Sequence, residues 1–334
     1  MQNSMVIMNA TNPLISIIFS FRNEAKVIPE LIRRVQAVLR ALPLRYEIIF
    51  VNDCSTDDSL KLLLAHREQD SNIKIINTAR RFGVTPCVLA GFEHAQGDAV
   101  ICMDTDLQDP PEVIPSMVEK WQQGAEVVHT VRSRRHGENP MKMWITKKAY
   151  RVIGGISEYP MIENAGDFKL ISRKVLNLML AMREKDPYLR GLVGWTGFRQ
   201  EQVYYEREAR FAGQTKFPLL KSMNPCREFF RGVTGFSDVP LYFGFFCSGL
   251  FGLGAVLSLI ALLGRVVLNA GFSPWLAFLT LFCATVSLLF IFLSLLGVYL
   301  GAVLRQVRHR PYYLAQELIG FDAKSPEQKD GTVL

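Results

Sequence analysis

Two aspartates separated by one residue follow an apolar run and give the strongest chemical signal in the sequence. Asp104 and Asp106 end the segment AVICMDTD, and Gln108 follows two residues later. Carboxylate and amide oxygens are ligands of hard divalent cations such as Mg²⁺ and Mn²⁺. A cation of this kind can neutralise a diphosphate leaving group. The spacing therefore predicts a metal site, and an acidic loop that caps the helix starting near Pro111 is the alternative reading.

A second polar cluster, Asn52 to Asp57, follows another apolar run, YEIIFVND. Asp53 could accept hydrogen bonds from a nucleoside base or from a ribose hydroxyl. Ser55 or Asp57 could instead cap the helix that follows, and both roles can coexist because they use different residues. The sequence contains neither GxGxxG nor GxxxxGK[ST], so neither a dinucleotide-binding fold nor a P-loop is indicated.

The elements that must position these residues alternate between strand and helix patterns over residues 14–125. Short apolar runs predict strands at LISIIFSF, YEIIFVND, IKIINT and AVICMDTD, with helices between them. Further along, VVHTVRSR predicts a strand and DFKLISRKVLNLMLAM predicts a strand that enters a helix. This alternation is typical of an α/β domain with a mostly parallel sheet. Ligands bind such sheets at the carboxyl ends of the strands, where Asp53, Asp104 and Asp106 are expected to lie.

Two long uncharged runs, residues 239–264 and 266–304, contain no Asp, Glu, Lys or Arg. A helix needs roughly 20 apolar residues to cross a bilayer core, so we expect two transmembrane helices at 239–264 and 274–305. Residues 217–237 mix basic and apolar side chains, which predicts an interfacial amphipathic helix. Basic residues flank the outer ends of the two spans, and Arg265 alone lies between them. The positive-inside rule then places the large domain and both termini in the cytoplasm.

The net charge of +7 and the six cysteines narrow the class of protein further. Much of the basic charge lies near the apolar runs, which favours anionic lipid and phosphate as partners. Nucleic acid is not an expected partner, since no recognition motif accompanies the basic residues. Residues 1–13 lack a signal-peptide pattern and are expected to form a tail. The cysteines show no metal-type spacing and are expected to be reduced.

Several segments together resemble the polyprenyl-phosphate glycosyltransferases of glycosyltransferase family 2. The similarity is strongest to bactoprenol glucosyltransferases and more distant to dolichol-phosphate mannose synthases. It covers roughly residues 14–315 and rests on these motifs: FRNE, VNDCSTDDS, DTDLQDPP, AGDFKLISRKV, RGLVGWTGFRQ, RFAGQTKFP and RPYYL.

The resemblance implies a GT-A domain over residues 14–216, two membrane helices within 238–307 and a cytoplasmic tail at 308–334. It implies a metal-dependent, inverting transfer of glucose from UDP-glucose to polyprenyl (undecaprenyl) phosphate. The reaction would take place at the cytoplasmic face of a bacterial plasma membrane and serve cell-envelope polysaccharide or lipopolysaccharide modification. Self-association and a separate lipid flippase are further partners that the resemblance leaves open.

The resemblance also implies roles for individual residues. Asp104, Asp106 and Gln108 would hold the metal and diphosphate, and Asp106 and Asp167 are the candidate catalytic residues. Whether Asp167 is a base or an orienting group stays open. The nucleotide-sugar would be bound by Ser20, Asn23, Glu24, Asp53 and Asp104. The phosphate of the lipid acceptor would be bound by Arg132, Arg135, Arg210 and Lys216.

The chain departs from the family pattern around the expected nucleoside pocket. Ser20 and Arg22 stand where Pro and Tyr are usual, Cys54 replaces a turn Gly, and Arg81 stands where Asn is usual. These departures leave the sugar and base open, and mannose from GDP-mannose or a modified sugar is the alternative donor group. Two other classes compete: a processive polysaccharide synthase, disfavoured by the missing QxxRW motif, and an inactive membrane scaffold with the same fold.

Overall fold

The structure is a computed structural model that describes residues 12–135, 165–182, 184, 187–208, 274–307 and 310–321. The predicted interfacial helix at 217–237 and the first predicted span at 239–264 lie outside these residues. Arg210 and Lys216, which the resemblance assigns to the acceptor, also lie outside them.

The described strands and helices alternate along the first part of the chain, as the apolar runs predict. The strands are β1 (Leu14–Phe21), β2 (Arg45–Asn52), β3 (Ile73–Thr78), β4 (Ala99–Asp104), β5 (Val127–Arg135), β6 (Ala165–Ser172), β7 (Gln200–Arg207) and β8 (Ala315–Ile319). The α-helices are α1 (Ile28–Arg40), α2 (Ser59–Gln69), α3 (Val84–His94), α4 (Ile114–Gln122), α5 (Arg173–Ala181), α6 (Leu189–Trp195) and α7 (Pro274–Val307). A short 3₁₀ helix, Pro111–Val113, precedes α4.

All eight of these strands form one sheet in the order β7-β5-β6-β4-β1-β2-β3-β8. The central strands β4, β1, β2 and β3 are parallel, and β7 is parallel to β5. β6 runs antiparallel to both of its neighbours, and β8 runs antiparallel to β3. The prediction of an α/β domain with a mostly parallel sheet is therefore confirmed.

Both faces of the central sheet are buried, which explains why its strands read as continuous apolar runs. On β1, Ile15 and Ile17 pack into the core layer that includes α1 and α4, whereas Ile18 packs into the layer that includes α3 and α5. α3 lies very close to β1 at Gly91, where an added Cβ would lie 2.4 Å from Cγ2 of Ile18. This glycine therefore sets the distance between α3 and the sheet.

The last described strand, β8, comes from the segment that the sequence analysis assigned to a C-terminal tail. It pairs with the outer edge of β3, with Leu318 opposite Ile76. The Leu314 carbonyl accepts a hydrogen bond from the Ala79 amide at 2.9 Å. Tyr313 is 3% exposed, and its hydroxyl contacts Glu93 and His94 of α3 at 2.9 Å each. The catalytic sheet therefore includes residues from beyond α7.

The second predicted span, 274–305, coincides with α7, some of whose side chains are not described. Within the described part of the chain, none of the helices combines the length and apolar character needed to cross a bilayer.

Candidate active site

The carboxyl ends of β1, β2 and β4 meet at one edge of the sheet. Ser20 on β1 lies opposite Asp104 on β4 and opposite Val51 on β2. The Asp53 amide donates a hydrogen bond to the Phe21 carbonyl at 2.9 Å. Parallel pairing therefore brings Ser20, Asp53 and Asp104, three of the residues assigned to the nucleotide-sugar, to the same edge.

Asp53 is a buried carboxylate that holds the beginning of α3. Its oxygens accept hydrogen bonds from the Phe82 amide at 2.6 Å and from the Gly83 amide at 3.2 and 3.1 Å. Gly83 has φ +100°, a conformation that glycine adopts without steric cost. Asp53 thus fixes the backbone of the loop before α3, which borders the carboxyl edge of the sheet. A contact between Asp53 and a nucleoside would be a second role for this side chain.

Asn23 and Glu24 tie the loop after β1 to the loop after β2. The Asn23 amide donates to Ser55 Oγ at 3.0 Å, and Asn23 Oδ1 accepts from the Thr56 amide at 2.8 Å. The Glu24 amide donates to Ser59 Oγ at 2.9 Å. Asp57 Oδ1 accepts the Ser59 amide at 3.1 Å, but the N-cap residue of α2 is Asp58, whose side chain makes no capping hydrogen bond. The alternative in which Ser55 or Asp57 is the N-cap residue is therefore wrong.

Three non-glycine residues with positive φ lie in loops at this edge: Asn23 at 55°, Cys54 at 54° and Leu107 at 56°. They follow β1, β2 and β4 respectively, so each loop that borders the candidate site contains one residue in the left-handed region. A side chain in this region costs roughly 1–2 kcal/mol. Such strain concentrates at functional sites. Glycine adopts this region without that cost, which fits the turn Gly of the family pattern at position 54.

The acidic pair after β4 forms a tight turn. Asp106 Oδ1 accepts a hydrogen bond from the Gln108 amide at 3.2 Å, with Leu107 buried between them. Burial, together with the neighbouring carboxylates of Asp109, Asp167 and Asp106, raises the pKa of Asp104 to about 7. Several carboxylates therefore lie close enough to repel one another, which is the electrostatic setting that a cation relieves.

The donor set fits a divalent metal that is shared with a substrate. Among the described residues, no group of three or more His, Cys, Asp or Glu side chains is arranged to hold a metal. Mg²⁺ is usually bound in proteins by one or two carboxylates and completed by substrate phosphates and water. Asp104 and Asp106 supply carboxylates of this kind, and Gln108 supplies an amide oxygen within the same turn.

Asp109, which the sequence analysis did not single out, is the centre of a buried polar cluster. Its side chain is fully buried and contacts the Tyr205 hydroxyl, Arg207 Nε at 3.4 Å and Arg132 Nη2 at 3.5 Å. Arg132 Nε also donates to the Tyr205 hydroxyl at 3.0 Å. Asp109 therefore holds Arg132, a predicted acceptor ligand, in a fixed orientation.

Asp167 lies on β6 and is bound by Arg190 of α6 through both carboxylate oxygens. Arg190 Nε and Nη2 donate to Oδ1 and Oδ2 at 2.7 and 2.6 Å. Partial burial opposes ionisation of Asp167, but the charges of Arg190, Lys169 and Arg132 outweigh it and hold the pKa of this carboxyl well below its ordinary value. Asp167 is therefore an ionised and weakly basic group.

Lys169 and His129 form a buried basic pair behind Asp167. They lie opposite each other across β6 and β5, and both side chains are buried. Burial lowers the pKa of Lys169 to about 8, although Asp167 acts in the opposite direction. Burial and the charge of Lys169 lower the pKa of His129 to about 4. Two cationic groups, Lys169 and Arg190, therefore adjoin the single carboxylate of Asp167.

Five of the predicted site residues thus lie in one electrostatic cluster, because the charges of Asp106, Asp167 and Arg132 all act on Asp104 and Gln108 belongs to the same turn. Arg135 ends β5, and its side chain is not among the described ones. The residues that sequence reasoning missed are Asp109, Lys169, Arg190 and Tyr205. RGLVGW contains Arg190 and was noticed as a motif, but its partner could not be read from spacing.

The GT-A-like α/β fold, with an acidic pair at the end of a central strand, defines a glycosyltransferase. A model of the family described as Glycosyl transferase family 2 matches residues 16–179. The chain belongs to glycosyl transferase family 2, as its similarity to full-length relatives shows.

Two of the relatives that match over most of their length illustrate this similarity. One is the uncharacterized glycosyltransferase YkcC of Bacillus subtilis (strain 168), 36% identical over 313 residues, with 92% of this chain and 95% of YkcC covered. Another is the bactoprenol glucosyl transferase of Shigella phage SfV, 36% identical over 307 residues, with 90% and 97% covered. Among solved structures, mannosyl-3-phosphoglycerate synthase from Rubrobacter xylanophilus aligns with a TM-score of 0.48 at 16% identity, covering 66% of this chain and 73% of that one.

Proposed function

We propose that this glycosyltransferase transfers a sugar, glucose from UDP-glucose in the first instance, to polyprenyl phosphate with the help of Mg²⁺ or Mn²⁺. The observation that carries the proposal is that an acidic cluster and a basic cluster lie close together at one edge of the sheet. The charges of Asp106, Arg132 and Asp167 all act on the Asp104 carboxyl, and Asp167 is paired with Arg190. The name of the phage relative, bactoprenol glucosyl transferase, supports the lipid acceptor and the sugar.

On the donor side, Asp104, Asp106 and Gln108 would hold the cation together with the diphosphate. When bound, the cation supplies charge neutralisation for the departing nucleoside diphosphate. Ser20, Asn23, Glu24 and Asp53 would line the nucleoside end, where backbone groups fixed by Asp53 give the pocket its shape.

On the acceptor side, the nucleophile is a phosphate oxygen that attacks the anomeric carbon as the nucleoside diphosphate leaves. A phosphate monoester has a second pKa near 6, so it is largely a dianion at neutral pH and needs no strong base. The main barrier is the approach of two anions, which positively charged side chains lower by positioning and charge neutralisation. The low pKa of Asp167 supports an orienting role for it over proton abstraction.

The proposal includes attachment to a bacterial plasma membrane, with the catalytic domain and both termini in the cytoplasm. Its support is the amino-acid sequence: two uncharged runs, 239–264 and 266–304, with basic residues at their outer ends. An acceptor with a long apolar tail stays in the bilayer, so the transferring site must work at the level of the headgroups. Protease accessibility of the catalytic domain in sealed, oriented vesicles tests this placement.

The decisive experiment offers radiolabelled UDP-glucose, other UDP-sugars and GDP-mannose separately to purified protein with polyprenyl phosphate and Mg²⁺ or Mn²⁺. We expect label from UDP-glucose in the lipid phase, lost with EDTA and with Asp106→Ala. Glu68→Ala is the matched control, because it removes an exposed carboxylate from α2 and should leave transfer unchanged.

The outcomes separate the parts of the proposal. Label from a different sugar would reject glucose and retain the lipid acceptor. EDTA-resistant transfer would reject the metal. No labelled lipid from any donor, with folded protein, would reject the proposed reaction and favour an inactive scaffold.

A further inference from the structure

Arg132 lies against the strand residue that immediately precedes Asp167. An added Cβ on Gly166 would lie 2.7 Å from Nη2 and 3.1 Å from Cζ of Arg132. The absence of a side chain at position 166 therefore allows the guanidinium to approach β6. The Arg132 side chain is 11% exposed and is held from behind by Asp109 and Tyr205. Its orientation is set by the protein before any substrate binds.

Arg190 approaches the neighbouring residue of β6 from α6, and its guanidinium contacts both oxygens of Asp167 near the start of this strand. This ion pair is accessible to solvent, with side-chain exposures of 30% for Arg190 and 47% for Asp167. The Arg132–Asp109 pair, in contrast, has a fully buried carboxylate. A ligand can therefore reach the Arg190–Asp167 pair, whereas Asp109 is a structural partner.

The two guanidinium charges lie near enough to act on each other: Arg190 acts to lower the pKa of Arg132, although Asp109 and Tyr205 hold that pKa above its ordinary value. Lys169 adds a third positive charge beside Asp167. An anion with two charges compensates this arrangement better than the single carboxylate of Asp167. Guanidinium groups bind phosphate through two parallel hydrogen bonds, which lysine cannot reproduce.

We propose that Arg190 binds the phosphate of the lipid acceptor together with Arg132, and that Asp167 is a positioning residue that holds Arg190 in the orientation for this contact. The inference rests on the proposed function for the identity of the acceptor. In this arrangement Arg190 contacts the substrate directly, and Asp167 affects the substrate only by orienting Arg190. No proton moves to Asp167 in this arrangement.

The test is a double-mutant cycle of Arg190→Gln, Asp167→Asn and the double variant. The steady-state constants are measured with varied polyprenyl phosphate and with varied donor. Loss of a charged hydrogen-bonding partner costs roughly ten- to a hundred-fold in affinity, so we expect Arg190→Gln to raise the lipid KM by about that factor. The donor KM should stay within about two-fold. The double variant should be no worse than Arg190→Gln, because coupled residues are not additive.

Binding measurements test the role of Arg190 without requiring that the protein transfer sugar. Titration calorimetry with farnesyl phosphate, inorganic phosphate and farnesol distinguishes the phosphate from the tail, and we expect the Arg190→Gln defect with both phosphates and not with farnesol. Arg199→Gln is the matched control, since Arg199 is an exposed arginine paired with Glu201. If Arg190→Gln lowers the melting temperature, Arg190→Lys keeps the charge and should still show weakened phosphate binding.

Three results with the variants would overturn the inference. One is an unchanged lipid KM and phosphate affinity in folded Arg190→Gln. Another is a multiplicative loss of kcat in the double variant, which would show that Asp167 acts independently of Arg190. The third is an equal rise of donor and lipid KM. If wild-type protein binds farnesyl phosphate but transfers no sugar, the proposed reaction is rejected. The comparison of phosphate affinity between wild-type protein and Arg190→Gln still tests the role of Arg190. If wild-type protein binds neither phosphate, the inference fails as well.

Discussion

A proton on Asp104 competes with the proposed metal ion, and the competition can be measured. The pKa of Asp104 is raised to about 7 by burial and by its acidic neighbours Asp109, Asp167 and Asp106. A cation bound by this carboxylate must displace the proton. With a pKa near 7, the apparent dissociation constant should be about twice the high-pH limit at pH 7 and about ten-fold weaker at pH 6 than at pH 8.

The assay is Mn²⁺ binding at pH 6, 7 and 8 by electron paramagnetic resonance, in the presence of a nucleotide-sugar. The donor is preferable to free UDP because its phosphates are diesters whose charge is constant over this range. Calorimetry in buffers of different ionisation enthalpy should detect release of close to one proton per metal at pH 6. The reasoning is refuted if wild-type affinity is flat between pH 6 and pH 8.

Asp104→Asn is the control for this prediction. It should weaken metal binding at pH 8 and remove most of the dependence on pH, because the titrating group is gone. An equally steep dependence in the variant would assign the proton to another group. The sign for stability is opposite to that for metal binding. The folded pKa of Asp104 exceeds its ordinary value, so its contribution to the stability of metal-free protein is full at low pH and is lost as the pH rises to about 7.

Two further predictions concern stability. Cys54→Gly should raise the free energy of unfolding by about 1 kcal/mol, because φ at Cys54 is 54° and glycine relieves the steric cost; urea denaturation measures the gain, and an equal gain in Cys54→Ala would contradict it. Tyr313→Phe should lower the free energy of unfolding by about 1–3 kcal/mol, because the hydroxyl shared by Glu93 and His94 is lost. Thermal denaturation tests it beside Tyr204→Phe, whose side chain is exposed, and equal stability of the two variants would count against it.

The central part of the fold could be predicted from the sequence because its strands are buried on both faces. β1 to β4 contain apolar runs, and such runs with intervening helices are typical of parallel strands whose two faces are both covered. The place of the acidic pair could be predicted for a related reason: Asp104 ends one of these strands, Asp106 follows it, and parallel pairing fixes where strand ends meet.

The peripheral elements could not be predicted in the same way. β7, with the sequence QEQVYYER, is largely polar and partly exposed, so it lacks the apolar run that marks a strand. α6 has seven residues, and β8 has five. Asp109 reads as a turn residue before two prolines, and its buried role becomes visible when Tyr205 and Arg207 of β7 are in place. Contacts between residues far apart in sequence leave no periodic trace, which is why Arg190 was missed as the partner of Asp167.

The pairing of β8 with β3 has a consequence for the order in which the protein is made. Ile75 of β3 pairs with Ile319 of β8. The outer edge of β3 therefore stays unpaired until the ribosome has synthesised the residues that follow α7. An unpaired strand edge is a template for association with other chains. A late nonsense codon that removed residues 310–321 would leave every candidate catalytic residue encoded, yet the ribosome would release a chain with an open sheet. The last described strand therefore makes completion of the sheet depend on synthesis of the segment that follows α7.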